Sequence, residues 1–156
     1  MTAAQRIRGA GATRVLQHVE RLDERSVRDL VELYQGEWWT KDRSLRDVRA
    51  MLERSDLVFG IVDPSSGRLI GFARVLSDFV FKALVFDVIV APSHRGRGVG
   101  DALMRRILAH PRLRSVRHVE LYCLPELEAF YRRCGFTPDV GGVRLMRRAS
   151  VRRTVA

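Results

Sequence analysis

Three glycines at alternate positions stand in the stretch Arg95-Gly96-Arg97-Gly98-Val99-Gly100-Asp101, between an apolar run and an amphipathic one. Glycine permits positive φ angles and close backbone approach. The first N–H groups of a new helix have no partner inside it. Together these features make a cradle for an anion, read here as the pyrophosphate of a cofactor. Two phosphate-binding templates fail on identifiable residues. G-x-G-x-x-G begun at Gly96 meets Asp101 where its third glycine belongs, and no Gly-Lys-Ser/Thr step exists for a Walker-type loop. Just upstream, Asp87 is the only charge in the apolar run Ala83 to Val90. A buried acid needs a partner or a task. It is either a base or substrate contact, or the structural partner of an arginine such as Arg74.

Other reactive side chains give weaker signals. Cys123 and Cys134 fall on different predicted elements without C-x-x-C spacing, so neither a disulfide framework nor a zinc site is expected. No Cys/His signature accompanies Cys134, which is read as a packing residue. His94 and His118 are read as carrying no chemistry. Trp38 and Trp39 are adjacent in a loop, where both rings rarely enter a core. One is expected to face a ligand by stacking or cation–π contact, and the alternative is that both anchor the helical layer.

The elements that must position these groups follow from pattern. Thr13 to Val19 has the β-branched character of a strand. Val27, Leu30, Val31 and Tyr34 fall at helical spacing within Glu24–Gln35, with Asp23 or Ser26 as cap and Gly36 as stop. Ser44 caps a second helix to about Arg54. Leu57–Val62 and Leu69–Leu76 flank Asp63-Pro64-Ser65-Ser66-Gly67 and form a hairpin. Ala83–Val90 is a strand expected to be buried on both faces. A helix runs from Gly98 to Ala109, a strand from His118 to Leu124, and a short helix from Pro125 through Arg133. Val143–Met146 returns as a last strand, whose edge could pair two chains.

At 156 residues the chain is expected to be one domain. With 46% hydrophobic and 29% charged residues it excludes a disordered polymer. A net charge of +10, from 28 Lys+Arg against 18 Asp+Glu, favours anionic partners, although the arginines are scattered. No run approaches the ~18 apolar residues of a membrane helix. Met1 to Arg14 is basic and acid-free and is read as a disordered tail, and the cysteine usage suits a reducing cytoplasm.

The hexapeptide Arg95 to Gly100 fits R/Q-x-x-G-x-G/A, with Arg95, Gly98 and Gly100 in register. Preceded by Val90-Ala91-Pro92 and followed by an amphipathic helix, it resembles the acyl-CoA loop of the GNAT superfamily of N-acyltransferases. The segment Glu128-Ala129-Phe130-Tyr131-Arg132-Arg133-Cys134-Gly135-Phe136 is similar to that family's C-terminal tyrosine motif. Trp38 to Ser44, Gly71 to Val75 and Ser77-Asp78 look like a group of small bacterial GNAT proteins.

The resemblance implies a single-domain α/β (α+β) GNAT fold over residues 13–148, with a mixed, mostly antiparallel central sheet flanked by about four helices. Basic tails would occupy 1–12 and 149–156. It implies direct acetyl transfer from acetyl-CoA to a primary amine of a small molecule or peptide. Val88, Ile89 and Val90 would hold pantetheine, and Arg95, Gly96, Arg97, Gly98, Val99, Gly100 and Asp101 the pyrophosphate. The motif position makes Tyr131 the proton donor to the leaving thiolate. Backbone N–H groups of Val88–Val90 suit a developing oxyanion, especially if a bulge splays the strand. Asp87 is the first candidate base, with Asp78 and Glu120 weaker and a water chain as substitute. Trp38 and Trp39, with Arg74 and Asp78, are expected on the acceptor side. Leu124 departs from the polar residue, often Asn, that stands seven positions before the motif tyrosine. Alternatives are a CoA-binding protein without turnover and a basic nucleic-acid-binding module.

Overall fold

The computed structural model describes residues 3–9 and 12–149. In chain order these form β1 (Ala3–Gly9), β2 (Ala12–Val19), α1 (Glu24–Gln35), α2 (Leu45–Glu53), β3 (Leu57–Asp63), β4 (Arg68–Ser77) and β5 (Lys82–Val90). Then follow α3 (Val99–Leu108), β6 (His118–Leu121) and α4 (Glu128–Arg133), with single 3-10 turns at Pro92–His94 and Pro125–Leu127. The six strands lie side by side in chain order. All neighbours are antiparallel except β5 and β6, which run parallel across the α3 crossover. This is the expected mixed, mostly antiparallel sheet with four helices.

Local chemistry sets the helix ends. The Asp23 carboxylate accepts from Ser26 N at 2.8 Å and caps α1. Ser44 and Asp47 form a reciprocal capping box on α2. The sheet separates two cores. Leu30, Tyr34 and Val48 pack with Phe72 and Ile89 on the α1–α2 face. Val99, Leu103, Met104 and Ile107 pack with Phe59, Ile61 and Val75 on the α3 face. Asp29, buried in α1, accepts from Leu69 N at 2.9 Å and so pins that helix to β4.

Four expectations are corrected. The tail expected over residues 1–12 contains β1, paired antiparallel from Ala3↔His18 to Gly9↔Ala12, so the outer edge of β2 is covered there. The strand expected at Val143–Met146 is irregular chain, with Val143 74% and Met146 91% exposed, and nothing described pairs with it. The edge suggested for pairing two chains is therefore absent among the described residues. The third concerns β5, whose burial alternates: Ala83, Val85, Asp87 and Ile89 are buried and the residues between them only half so. β6 also stops at Leu121, short of Leu124. The predicted C-terminal tail falls, from residue 150, outside the described residues.

Candidate active site

The site begins with a fault in β5. Its ladder with β4 runs Phe72↔Ile89 and then Arg74↔Phe86, so Asp87 and Val88 together oppose Ala73. The extra residue is a β-bulge, and Asp87 takes φ 56° to accommodate it. One added residue shifts the two-residue alternation of a strand by one place. Ala83 and Val85 before it and Val88 and Val90 after it face the α3 core. Ile89 faces the α1–α2 core, and Asp87 turns to the same side, onto Tyr34 and Arg43. The parallel ladder with β6 ends at Val85↔Leu121, while β5 continues to Val90. Alternate backbone N–H groups of Phe86–Val90 therefore aim away from β4 into an opening that β6 does not fill.

The glycine loop lies at the end of the same strand. Ala91 N donates to Ile70 O at 2.8 Å and fixes the exit, and the Pro92–His94 turn leads into the loop. Gly96 and Gly98 adopt φ 68° and 78°, a region that other residues enter at a cost. Gly98 caps α3 without any side-chain hydrogen bond, and the first helical bond is Ala102 N to Gly98 O at 3.0 Å. The N–H groups of Val99, Gly100 and Asp101 thus precede the helix ladder. A Cβ on Gly96 would meet nothing within 4 Å, so the cradle is open to a ligand. Gly100 serves differently: a Cβ there would lie 3.3 Å from the Phe130 ring, so this glycine lets α3 and α4 approach. Uncapped donors, positive-φ glycines and open space fit a pyrophosphate. Arg95 donates to Val90 O at 3.0 Å and pairs with Glu37, whereas Arg97 is exposed and has no ion-pair partner among the described residues.

Tyr131 reaches the α3-side core from α4 and is 6% exposed, with edge-to-face contacts to Phe130 at 5.0 Å and Phe136 at 6.1 Å. Burial, with the nearby Cys123 and Cys134 thiols, pushes its hydroxyl up to about 12. The phenol is a proton donor across the neutral range, never a base there. Burial also raises the Cys134 thiol, and that side chain packs against the same core, as a packing role requires.

The acceptor-side residues separate. Asp87 Oδ2 accepts from Tyr34 Oη at 3.0 Å, Arg43 Nη1 at 2.7 Å and Arg74 Nε at 2.7 Å, and Oδ1 accepts from Arg43 Nη2 at 3.1 Å. Burial alone would raise this carboxyl, but the hydrogen bonds and charges of Arg43 and Arg74 outweigh it and hold it below the usual range. Of its two expected roles, the pairing with Arg74 is present. Asp78 is spent on its own turn, where Oδ1 accepts from the backbone of Val80, Phe81 and Lys82. Glu120 pairs with Lys82 at the surface. Trp38 is 70% and Trp39 37% exposed in the α1–α2 loop, so they do not both anchor the helical layer. Leu124 is exposed before the second 3-10 turn. Tyr34, Arg43 and Glu37 escape sequence reasoning, because an arginine in a polar loop carries no pattern. The lone acid in an apolar run was the one usable sign of the cluster.

Residues 24–136 match the Acetyltransferase (GNAT) family. The chain is 33% identical over 120 residues, 76% of its length and 68% of the other, to "Uncharacterized N-acetyltransferase ycf52" of Porphyra purpurea. It is 41% identical over 101 residues to "Serotonin N-acetyltransferase 2, chloroplastic" of Oryza sativa subsp. japonica, covering 64% of this chain but only 50% of that one. A GNAT-family crystal structure from Xanthomonas campestris pv. campestris superposes with a TM-score of 0.74 at 36% identity, over 86% of this chain and 93% of that one.

Proposed function

This chain belongs to the acetyltransferase (GNAT) family, whose acyl donor is acetyl-CoA, and from that premise we propose that it transfers an acetyl group directly to a primary amine. The observation that carries the reading is the course of β5, which joins a bulge, an unpaired edge and an uncapped glycine loop in one stretch of chain. Acetyl-CoA supplies the thioester. Gly96, Gly98 and the N–H groups of Val99, Gly100 and Asp101 would hold its pyrophosphate, with Arg97 adding charge. The edge of Val88, Ile89 and Val90 would hold pantetheine. The N–H groups aimed into the opening would serve charge developing on an acyl oxygen. Tyr131, protonated below about 12, is the group assigned to the departing sulfur.

No acid among Asp87, Asp78 and Glu120 is free to take the amine proton, so that proton is assigned to water in the opening. An alkylamine of pKa near ~10 presents a neutral fraction of about one part in a hundred to one in a thousand at neutral to mildly alkaline pH. The exposed rings of Trp38, Trp39 and Tyr122 favour an arylalkylamine acceptor, the class to which the rice relative's serotonin belongs. A lysine side chain in a peptide is the other amine to compare. The free thiols Cys123 and Cys134 fit a reducing compartment.

A panel of arylalkylamines, polyamines and lysine peptides, read by free thiol release from acetyl-CoA, tests the reading. Acceptor-dependent release supports it. Binding of acetyl-CoA without release from any amine points to a CoA-binding protein without turnover. Absence of both removes the acyl-donor assignment.

A further inference from the structure

We propose that Asp87, Arg43, Arg74 and Tyr34 form a clamp that sets the shape of the β5 bulge and makes it depend on the α1–α2 loop, so that Arg43 and Asp87 are positioning residues for acyl transfer. This deepens the acetyltransferase reading and rests on it for its kinetic consequences. Its structural content stands without turnover.

The argument starts from the backbone. Asp87 sits at φ 56°, where an L-residue is held only if its surroundings fix it. Aspartate is one of the few types that tolerate this region at all. The surroundings here are unusually complete. The carboxylate, 4% exposed, accepts four hydrogen bonds from three side chains, two of them cationic. Tyr34 comes from α1, Arg43 from the loop that carries Trp38 and Trp39, and Arg74 from β4. They lie 53, 44 and 13 positions from Asp87, so the bulge is the point where three separate elements meet.

Each arginine is braced in turn. The Arg43 guanidinium lies 4.6 Å over the Tyr34 ring, and that of Arg74 lies 4.7 Å over the Phe86 ring. Phe86 meets Tyr122 edge-on at 6.2 Å, so the bracing reaches the chain just after β6 on the far side of the opening. A residue that accepts protons in turnover needs an unoccupied lone pair facing substrate. Both oxygens of Asp87 are instead committed inward. The clamp's product is geometry: the edge of Phe86–Val90 and the acceptor loop are set by one carboxylate.

The test uses the full chain with Asp87→Asn, which keeps tolerance of positive φ, and with Arg43→Lys and Arg43→Met. Three readouts are taken: acetyl-CoA affinity by thermal shift, kcat and KM across pH with the best amine, and amide hydrogen exchange. Exchange is expected to quicken at residues 86–90 in Arg43→Met and Asp87→Asn while α3 stays protected, whether or not any amine is acetylated. In the active enzyme kcat should fall about tenfold or more in both. Acetyl-CoA affinity should change less than about threefold, Arg43→Lys should recover part of the rate, and the acidic limb of the pH profile should keep its midpoint. Loss of that limb in Asp87→Asn would make Asp87 the base and overturn the proposal. Unchanged exchange at 86–90, or an unchanged kcat in folded Arg43→Met, overturns it equally. A wild type inactive on every amine, but with the exchange pattern as stated, refutes the acceptor assignment and leaves the clamp standing.

Discussion

Gly96 and Gly98 share a positive-φ backbone conformation, and its cost to an ordinary residue can be measured. At φ 68° and 78° an alanine at either position incurs roughly 1–2 kcal/mol of strain. For a chain of this length each kcal/mol moves Tm by about 2–4 °C, so each single alanine should lower it by about 2–8 °C. A Cβ on Gly96 meets no atom within 4 Å, and so Gly96→Ala should lose stability by strain alone. A ligand present at a hundred times its Kd stabilises by about 2.7 kcal/mol, an upward shift of about 5–11 °C. Gly98→Glu should abolish that shift, because a carboxylate would stand in the cradle at the uncapped start of α3, while the protein stays folded. Scanning fluorimetry with and without acetyl-CoA reads both quantities. Wild-type stability in Gly96→Ala and Gly98→Ala would refute the strain argument. A full ligand shift in Gly98→Glu would refute the pyrophosphate assignment.

Four more predictions can be checked together. Tyr131→Phe should lower kcat far more than acetyl-CoA affinity, and equal turnover in steady-state kinetics would remove it as the acid. With the Tyr131 hydroxyl raised to about 12 and the amine proton assigned to water, the rate should rise with pH along the ionisation of the acceptor itself. Changing to an amine of lower pKa should move the limb down, as pH–rate profiles of two amines would show. Arg97→Ala should raise KM for acetyl-CoA several-fold with kcat nearly unchanged, most visibly at low salt. Asp87 has its carboxyl held below the ordinary 3.8 in the fold, so its contribution to stability is complete above that value. That contribution is lost as pH falls through the depressed one, and acid-unfolding curves of wild type and Asp87→Asn should converge there.

What could be read in advance follows from how local each cause is. The ends of α1 and α2 depend on Asp23 and Ser44 acting over three residues, so they are visible in the sequence. The glycine loop is likewise a matter of neighbouring residues. Gly100 looked like its companions but acts through Phe130, thirty positions away in another helix. The Asp87 cluster was marked only by an acid in an apolar run, since its partners are set by tertiary approach. Val143–Met146 has strand-like composition but no free ladder to join, because β6 is short and the chain beyond α4 stays exposed. β1 shows the reverse: a basic stretch with little strand pattern becomes a strand because β2 offers it an edge.

The order of strands in the sheet has a consequence for how the molecule is made. From β1 to β5 every pairing joins strands that are consecutive in the chain and antiparallel, so each can dock on the one before it as synthesis proceeds. Only β6 returns through a crossover, since a parallel strand beside β5 needs the α3 connection between them. The opening beside β5 is bounded by that returning strand, and Tyr131 lies later still in the chain. The opening therefore depends on the non-local β5–β6 pairing, the slower kind to form, in addition to the locally paired antiparallel sheet.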